Sequence, residues 1–91
     1  MAYKIIYTKV AVADLVDLPK SVARRIDKKL EFFAQQSNPL AFAKRLTNSG
    51  LGTHRFRIGD YRVIFDLDKN GTIQILLILS IKHRREVYKF L

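Results

Sequence analysis

Arginines at positions 55, 57 and 62 flank the dipeptide Gly59-Asp60, and a second basic run, Lys82-His83-Arg84-Arg85, is followed by Tyr88. Guanidinium groups bind phosphate oxygens bidentately. Imidazole titrates near neutral pH, and a phenol can orient a substrate or relay a proton. Arginine, histidine and tyrosine within six residues, beside further arginines, form a set suited to holding and cleaving a phosphodiester. Taken singly, each has a plainer alternative: Tyr88 as a packing residue and His83 as a surface imidazole.

Gly59-Asp60 has the form of a two-residue hairpin turn. Such a turn sets Ile58 opposite Tyr61, Arg57 opposite Arg62, Phe56 opposite Val63 and Arg55 opposite Ile64. Strand side chains alternate between faces, so Phe56, Ile58, Tyr61, Val63 and Phe65 share the face that helices would cover. Arg55, Arg57 and Arg62 share the other. Like charges directly opposite one another destabilise a ladder by a few tenths to ~1 kcal/mol. Placing Arg57 against Arg62 is therefore costly unless an anion sits between them; the alternative is a solvated face whose long side chains splay apart.

The rest of the chain must supply the scaffold. Its 91 residues form one expected domain, 1–91, with 48% hydrophobic and 27% charged residues, which is compatible with a packed core. There is no cysteine, so no disulfide or zinc–thiolate site, and two histidines, His54 and His83, are too few for a usual metal cluster. Seventeen Lys and Arg against eight Asp and Glu give a net charge of +9. Residues 44–62 contribute +4 and residues 82–91 contribute +3, so the excess is concentrated in two windows. A polyanionic partner is implied. The N-terminus lacks an uninterrupted apolar stretch, and the nine apolar-rich residues 73–81 fall short of the ~20 a spanning helix needs. A soluble cytoplasmic protein is expected.

Tyr3–Thr8 reads as a strand and Ala11–Leu18 as a short helix. Pro19 suits the first turn of a second helix, in which Val22, Ile26, Leu30 and Phe33 form a core stripe. Ser37-Asn38-Pro39 stops that helix, and Leu40–Leu46 reads as one further helical turn. Arg55–Ile58, Tyr61–Leu67 and Ile73–Ile81 read as strands, the last two joined by an Asn70-Gly71 turn. Arg84–Leu91 reads as a terminal helical turn with Val87, Phe90 and Leu91 on its apolar side. The expected fold is α+β, β-α-α-β-β-β: a small, mostly antiparallel sheet packed on a two-helix hairpin.

The helical hairpin Ala13–Phe33 with its central Leu18-Pro19, the block His54-Arg55-Phe56-Arg57-Ile58-Gly59-Asp60-Tyr61-Arg62-Val63-Ile64-Phe65 and the ending Lys82-His83-Arg84-Arg85-Glu86-Val87-Tyr88 together resemble the RelE/ParE superfamily of type II toxin–antitoxin toxins, in particular its RelE-like branch. The resemblance covers nearly the whole chain. It implies a toxin that enters the ribosomal A site and cuts mRNA by metal-free attack of a ribose 2′-OH on the adjacent phosphate, with no cofactor. By the same resemblance Arg62 and Arg84 would stabilise the phosphate and Tyr88 would orient substrate or shuttle a proton, while the two basic windows point to Arg55, Arg57, Lys82 and Arg85 as the residues that bind RNA.

Arg55 and Arg57 stand where RelE-type toxins carry lysines, and arginine is a poor proton acceptor. His83 is then the first candidate for the base, Tyr88 the second and His54 the third. Implied partners are an acidic RelB-like antitoxin, the ribosome with its mRNA, and operator DNA through the toxin–antitoxin complex, with no membrane. The alternatives are a ParE-like toxin that binds DNA gyrase without cutting RNA, and a catalytically weak relative that only binds RNA.

Overall fold

A computed structural model of the chain describes residues 3–47 and 50–88. The element order is β1 (Lys4–Tyr7), α1 (Lys9–Val16), α2 (Lys20–Ala34), a 3-10 turn (Pro39–Phe42), β2 (Ala43–Arg45), β3 (His54–Ile58), β4 (Tyr61–Asn70), β5 (Ile73–His83) and α3 (Arg84–Tyr88). One five-stranded sheet has the order β1-β5-β4-β3-β2. β1 lies parallel to β5 and the other neighbours are antiparallel. This is the α+β sheet-on-helix-hairpin arrangement the sequence led us to expect, with one more strand.

The extra strand is β2. A helical turn was expected over 40–46, but only Pro39–Phe42 is helical, and Ala43-Lys44-Arg45 pairs with Phe56-Arg55-His54. Three residues carry no alternation signal; they are a strand because the outer edge of β3 has backbone groups to satisfy. The second hairpin also differs. Asn70 pairs with Ile73, so Gly71-Thr72 forms the turn and Asn70 closes the strand, with Gly71 at φ +63°. α1 begins at Lys9, before the expected Ala11, because Thr8 caps it: its Oγ1 accepts from the Ala11 N–H at 3.2 Å and donates to the Leu79 carbonyl at 3.1 Å. Pro19 falls one position before α2, as its N-cap.

The apolar stripe of α2 packs as the spacing predicts. Ile26, Leu30, Phe33 and Ala34 join Ala11 of α1 over Phe56, Ile58, Val63, Phe65, Leu76, Ile78 and Ile81. Phe33, Phe56 and Phe65 stack in series, with centroids 4.4 and 4.3 Å apart. Two polar contacts fix the helices to the sheet. Tyr7 donates to Asp27 Oδ1 at 2.5 Å. Asp14 Oδ2 accepts from the Ile81 N–H at 2.8 Å, a donor that β1, ending its pairing at Ile78, does not reach.

The opposite face carries its own packing. Ile64 and Val87 are buried there, and the chain at Gly52 lies so close over Ile64 and Leu79 that an added Cβ would meet both within 3 Å. Val87 anchors α3; Phe90 and Leu91, expected beside it, lie outside the described residues. No helix among the described residues is long and apolar enough to cross a membrane.

Candidate functional site

The first hairpin forms in the expected register. Gly59 takes φ +58°, the left-handed conformation a side chain would resist, and Ile58↔Tyr61, Arg57↔Arg62, Phe56↔Val63 and Arg55↔Ile64 all pair. β5 then extends the pattern, because Arg62 pairs with Lys82. Directly opposed residues share a face. Arg57, Arg62 and Lys82 therefore form one cationic row across three strands. Two residues along, Lys44 pairs with Arg55 and begins a second row.

These rows floor a groove of about 400 Å³, lined by Phe42, Lys44, Arg55, Arg57 and Arg62 with Ala41 and Ala43. A hollow of about 220 Å³ shares Lys44 and Arg55 and continues along Arg45, Leu46 and Thr47. No carboxylate lines either, and no ion pair engages these cations among the described residues. A third hollow, at Tyr3, Leu67, Asp68, Lys69 and Gln74, lies toward the other end of the β4–β5 hairpin and gathers no comparable charge. Lys44 was not foreseen as a site residue. Its only signal was membership of the basic 44–62 window, since its place depends on β2.

Arg62 is the least exposed of the cations, at 4%. Its Nη1 donates to the carbonyls of Gly59 and Tyr61, both at 3.1 Å, which folds the guanidinium back onto its own turn. Arg84 reaches the same turn from α3: its N–H donates to the Asp60 carbonyl at 2.8 Å and its Nε lies 3.9 Å from Asp60 Oδ1. The two arginines singled out for phosphate stabilisation thus converge on Gly59-Asp60. An exposed ion pair at that distance contributes little to stability, so its consequence is positional. Arg55 is half-buried, and its Nη1 is fully buried with no hydrogen-bond partner among the described residues. A buried charged donor without an acceptor costs free energy. Here it keeps a guanidinium uncommitted beside the groove. Arg57 is exposed, as is Arg85 on α3, and Tyr88 lies on the last turn of that helix.

Neither histidine is brought to the cationic face. His83 pairs with Tyr61, on the helix-facing side of the sheet, and their rings meet edge to face at 5.5 Å. Its Nδ1 accepts from the Arg85 N–H at 3.3 Å, while Glu86 Oε1 accepts from the His83 N–H at 3.4 Å. This reciprocal pair has the pattern of a capping box at the start of α3. The imidazole expected to lead as base is engaged in starting the helix that carries Arg84. His54 stacks on Phe65 at 5.6 Å, also on the helix-facing side, with Nδ1 3.0 Å from Thr53 Oγ1. Burial, then the charge of Arg45, holds its pKa below the usual imidazole value, partly offset by Asp66.

The chain matches, over residues 5–88, the family described as ParE toxin of type II toxin–antitoxin system, parDE. It is 29% identical to toxin RelG of Mycobacterium tuberculosis over 89 residues, covering 98% of this chain and 99% of that protein. Among solved structures it resembles a chain of the RelBE2 toxin–antitoxin complex from M. tuberculosis, with a TM-score of 0.73 and 28% identity over 92% of this chain and 100% of that one. It also resembles a chain of the archaeal RelE–RelB complex from Pyrococcus horikoshii, with a TM-score of 0.66 and 31% identity over 92% and 97%. A chain of the RelB–RelE complex from Methanococcus jannaschii, at 22% identity over 93% and 96% with a TM-score of 0.59, shares the fold.

Proposed function

Since this chain belongs to the ParE toxin family of type II toxin–antitoxin systems, within the RelE/ParE superfamily, we propose that it acts in the RelE manner, as a ribosome-dependent mRNA endoribonuclease that arrests translation in the cytoplasm. The observation that carries this reading is the Arg57–Arg62–Lys82 row, with Arg84 arriving at the adjoining turn. In the proposed reaction the ribose 2′-oxygen attacks the adjacent phosphorus and the P–O5′ bond breaks. The products are a 2′,3′-cyclic phosphate and a 5′-hydroxyl; the 2′-OH proton goes to a base and the leaving oxygen takes one from an acid.

The pentacovalent phosphorane gathers negative charge, and donors fixed before the reaction stabilise it most. Arg62, tied to Gly59 and Tyr61, is such a donor, and Arg84 and Arg57 flank it. Proton transfer needs groups that can release a proton, which arginine cannot. Lys82, in register with Arg62, and Tyr88, whose backbone belongs to the helix that begins at Arg84, are the groups we assign to it, since His83 caps that helix. Arg55 and Arg85 hold the RNA backbone.

A charge of +9 also favours a cognate acidic antitoxin that neutralises the toxin, and the RelBE and RelE–RelB complexes among the structural relatives support such a partner. Operator DNA would be met through that complex. The test is translation in vitro with mapping of mRNA ends: the wild type should produce discrete cuts at the ribosome, and Arg62→Ala should not. The match to the ParE family favours one other reading, a toxin that binds DNA gyrase and leaves RNA intact. Replication stopping before translation after induction would support that reading instead.

A further inference from the structure

We propose that the groove contains a second nucleotide subsite, in which Phe42 stacks against a base flanking the cut and Lys44 with Arg55 holds that nucleotide's phosphate. This rests on the nuclease reading and extends the same site. Phe42 stacks on Phe33 at 5.1 Å and meets Phe32 edge to face at 6.0 Å, so one side of the ring is fixed by the aromatic core. Even so it is 46% exposed and borders the cationic groove. A pre-positioned aromatic beside a basic track is the arrangement by which proteins hold unpaired bases irrespective of sequence.

The phosphate half follows from the register. Lys44↔Arg55 lies two residues along β3 from Arg57↔Arg62, which is roughly 7 Å at the usual strand rise. That offset is comparable with the separation of successive phosphates in an extended single strand. Arg55 has a buried Nη1 without a partner, and neither Arg55 nor Lys44 has a carboxylate neighbour in the groove. Both residues line the groove, and among the described residues neither is paired with a carboxylate, so their charge faces an incoming anion without a competing partner.

The experiment measures single-turnover cleavage on ribosomes programmed with three mRNAs: unmodified, abasic at one nucleotide flanking the cut, and with a neutral methylphosphonate at the neighbouring linkage. Each flanking side is tested in turn, with wild type, Phe42→Leu, Lys44→Gln and Arg62→Ala. Leucine keeps the apolar packing on Phe33 but cannot stack, and the altered RNAs leave the protein untouched. On one flanking side, the abasic RNA should lower kcat/KM about tenfold in wild type and cause no further loss in Phe42→Leu. The methylphosphonate should lower it in wild type and cause no further loss in Lys44→Gln. Losses that simply multiply on both sides, or variants that cleave all three RNAs like wild type, overturn the subsite while leaving the nuclease reading intact. An absence of cleavage by the wild type overturns both. If instead the two substitutions weaken only binding of the acidic antitoxin, the groove is a protein interface and the subsite is rejected.

Discussion

Arg57 and Arg62 are direct cross-strand partners, and among the described residues no carboxylate pairs with either. One is exposed, and the other is buried and hydrogen-bonded to its own turn. A like-charge cross-strand pair costs the unliganded fold a few tenths to ~1 kcal/mol, which an anion bound between the two would offset. Such trade-offs between stability and activity recur at functional sites.

The first prediction concerns this pair. In the absence of RNA, Arg57→Gln should raise stability by a few tenths to ~1 kcal/mol, because it relieves a like-charge cross-strand pair. A double-mutant cycle with Arg62→Gln, read by urea denaturation, should give unfavourable coupling between the two arginines. The same Arg57→Gln variant should cleave more slowly. Favourable coupling would remove the argument that the pair exists for an anion.

Arg62 itself should behave differently. Arg62→Ala should lower cleavage by about 10²–10³, the usual loss for one fixed donor to a developing oxyanion. It should also cost ~1–3 kcal/mol of stability, because the Gly59 and Tyr61 carbonyls lose a charged donor in a part-buried setting. Measuring kcat below the melting transition separates the two effects. A variant that unfolds without any intrinsic loss of rate would reduce Arg62 to a structural role.

His83 tests whether an imidazole is the base. As a helix cap it should be replaceable: His83→Asn, which retains a capping acceptor, should cleave near the wild-type rate with an unchanged pH profile. His83→Ala should weaken α3 and lower the rate moderately. If asparagine abolishes cleavage and removes an ionisation near neutrality from the profile, the capping reading of His83 is wrong.

Val87 is fully buried and belongs to the helix that carries Arg84 and Tyr88. Val87→Ala should cost roughly 1–3 kcal/mol and should slow cleavage although no substrate contact is removed. Hydrogen exchange localised to residues 84–88 would show whether α3 loosens first.

Tyr7 predicts an alkaline limit. Burial, and then its hydrogen bond to Asp27, hold the phenol well above its ordinary pKa. The folded state therefore keeps a proton that the unfolded chain releases near pH ~10. This contribution is complete below that pH and is lost as pH rises toward the folded-state value. Tyr7→Phe should be less stable than wild type at pH 8 by about 1–3 kcal/mol, and the difference should shrink steadily above pH 10. A constant difference across that range would contradict the assignment.

Several features were legible because they are local. The turn at Gly59, the alternation of Phe56, Ile58, Val63 and Phe65, and the stripe Ile26, Leu30 and Phe33 all follow from backbone conformation and side-chain period. Together they set Arg57 against Arg62 from local rules alone. The two basic windows likewise marked out the cationic face, although Lys44 was not singled out within them. Even His83-Arg84-Arg85-Glu86 carries a capping pattern beside its chemical reading, although histidine is an unusual residue for a cap.

The sequence by itself determined the hairpin register and the core stripe, which depend on residues within a few positions of one another, and the excess of positive charge, which is a matter of composition alone. Only the tertiary structure decided which strands became neighbours, and with them the second row of cations. β2 exists because β3 had an edge to satisfy, which brings Lys44 to Arg55. β4 and β5 pair through an irregularity beside Ile64 and Phe65, where Leu79 is the extra residue on β5. One inserted residue reverses which side chains share a face. That long-range register sets Lys82 beside Arg62 and turns His83 away to Tyr61.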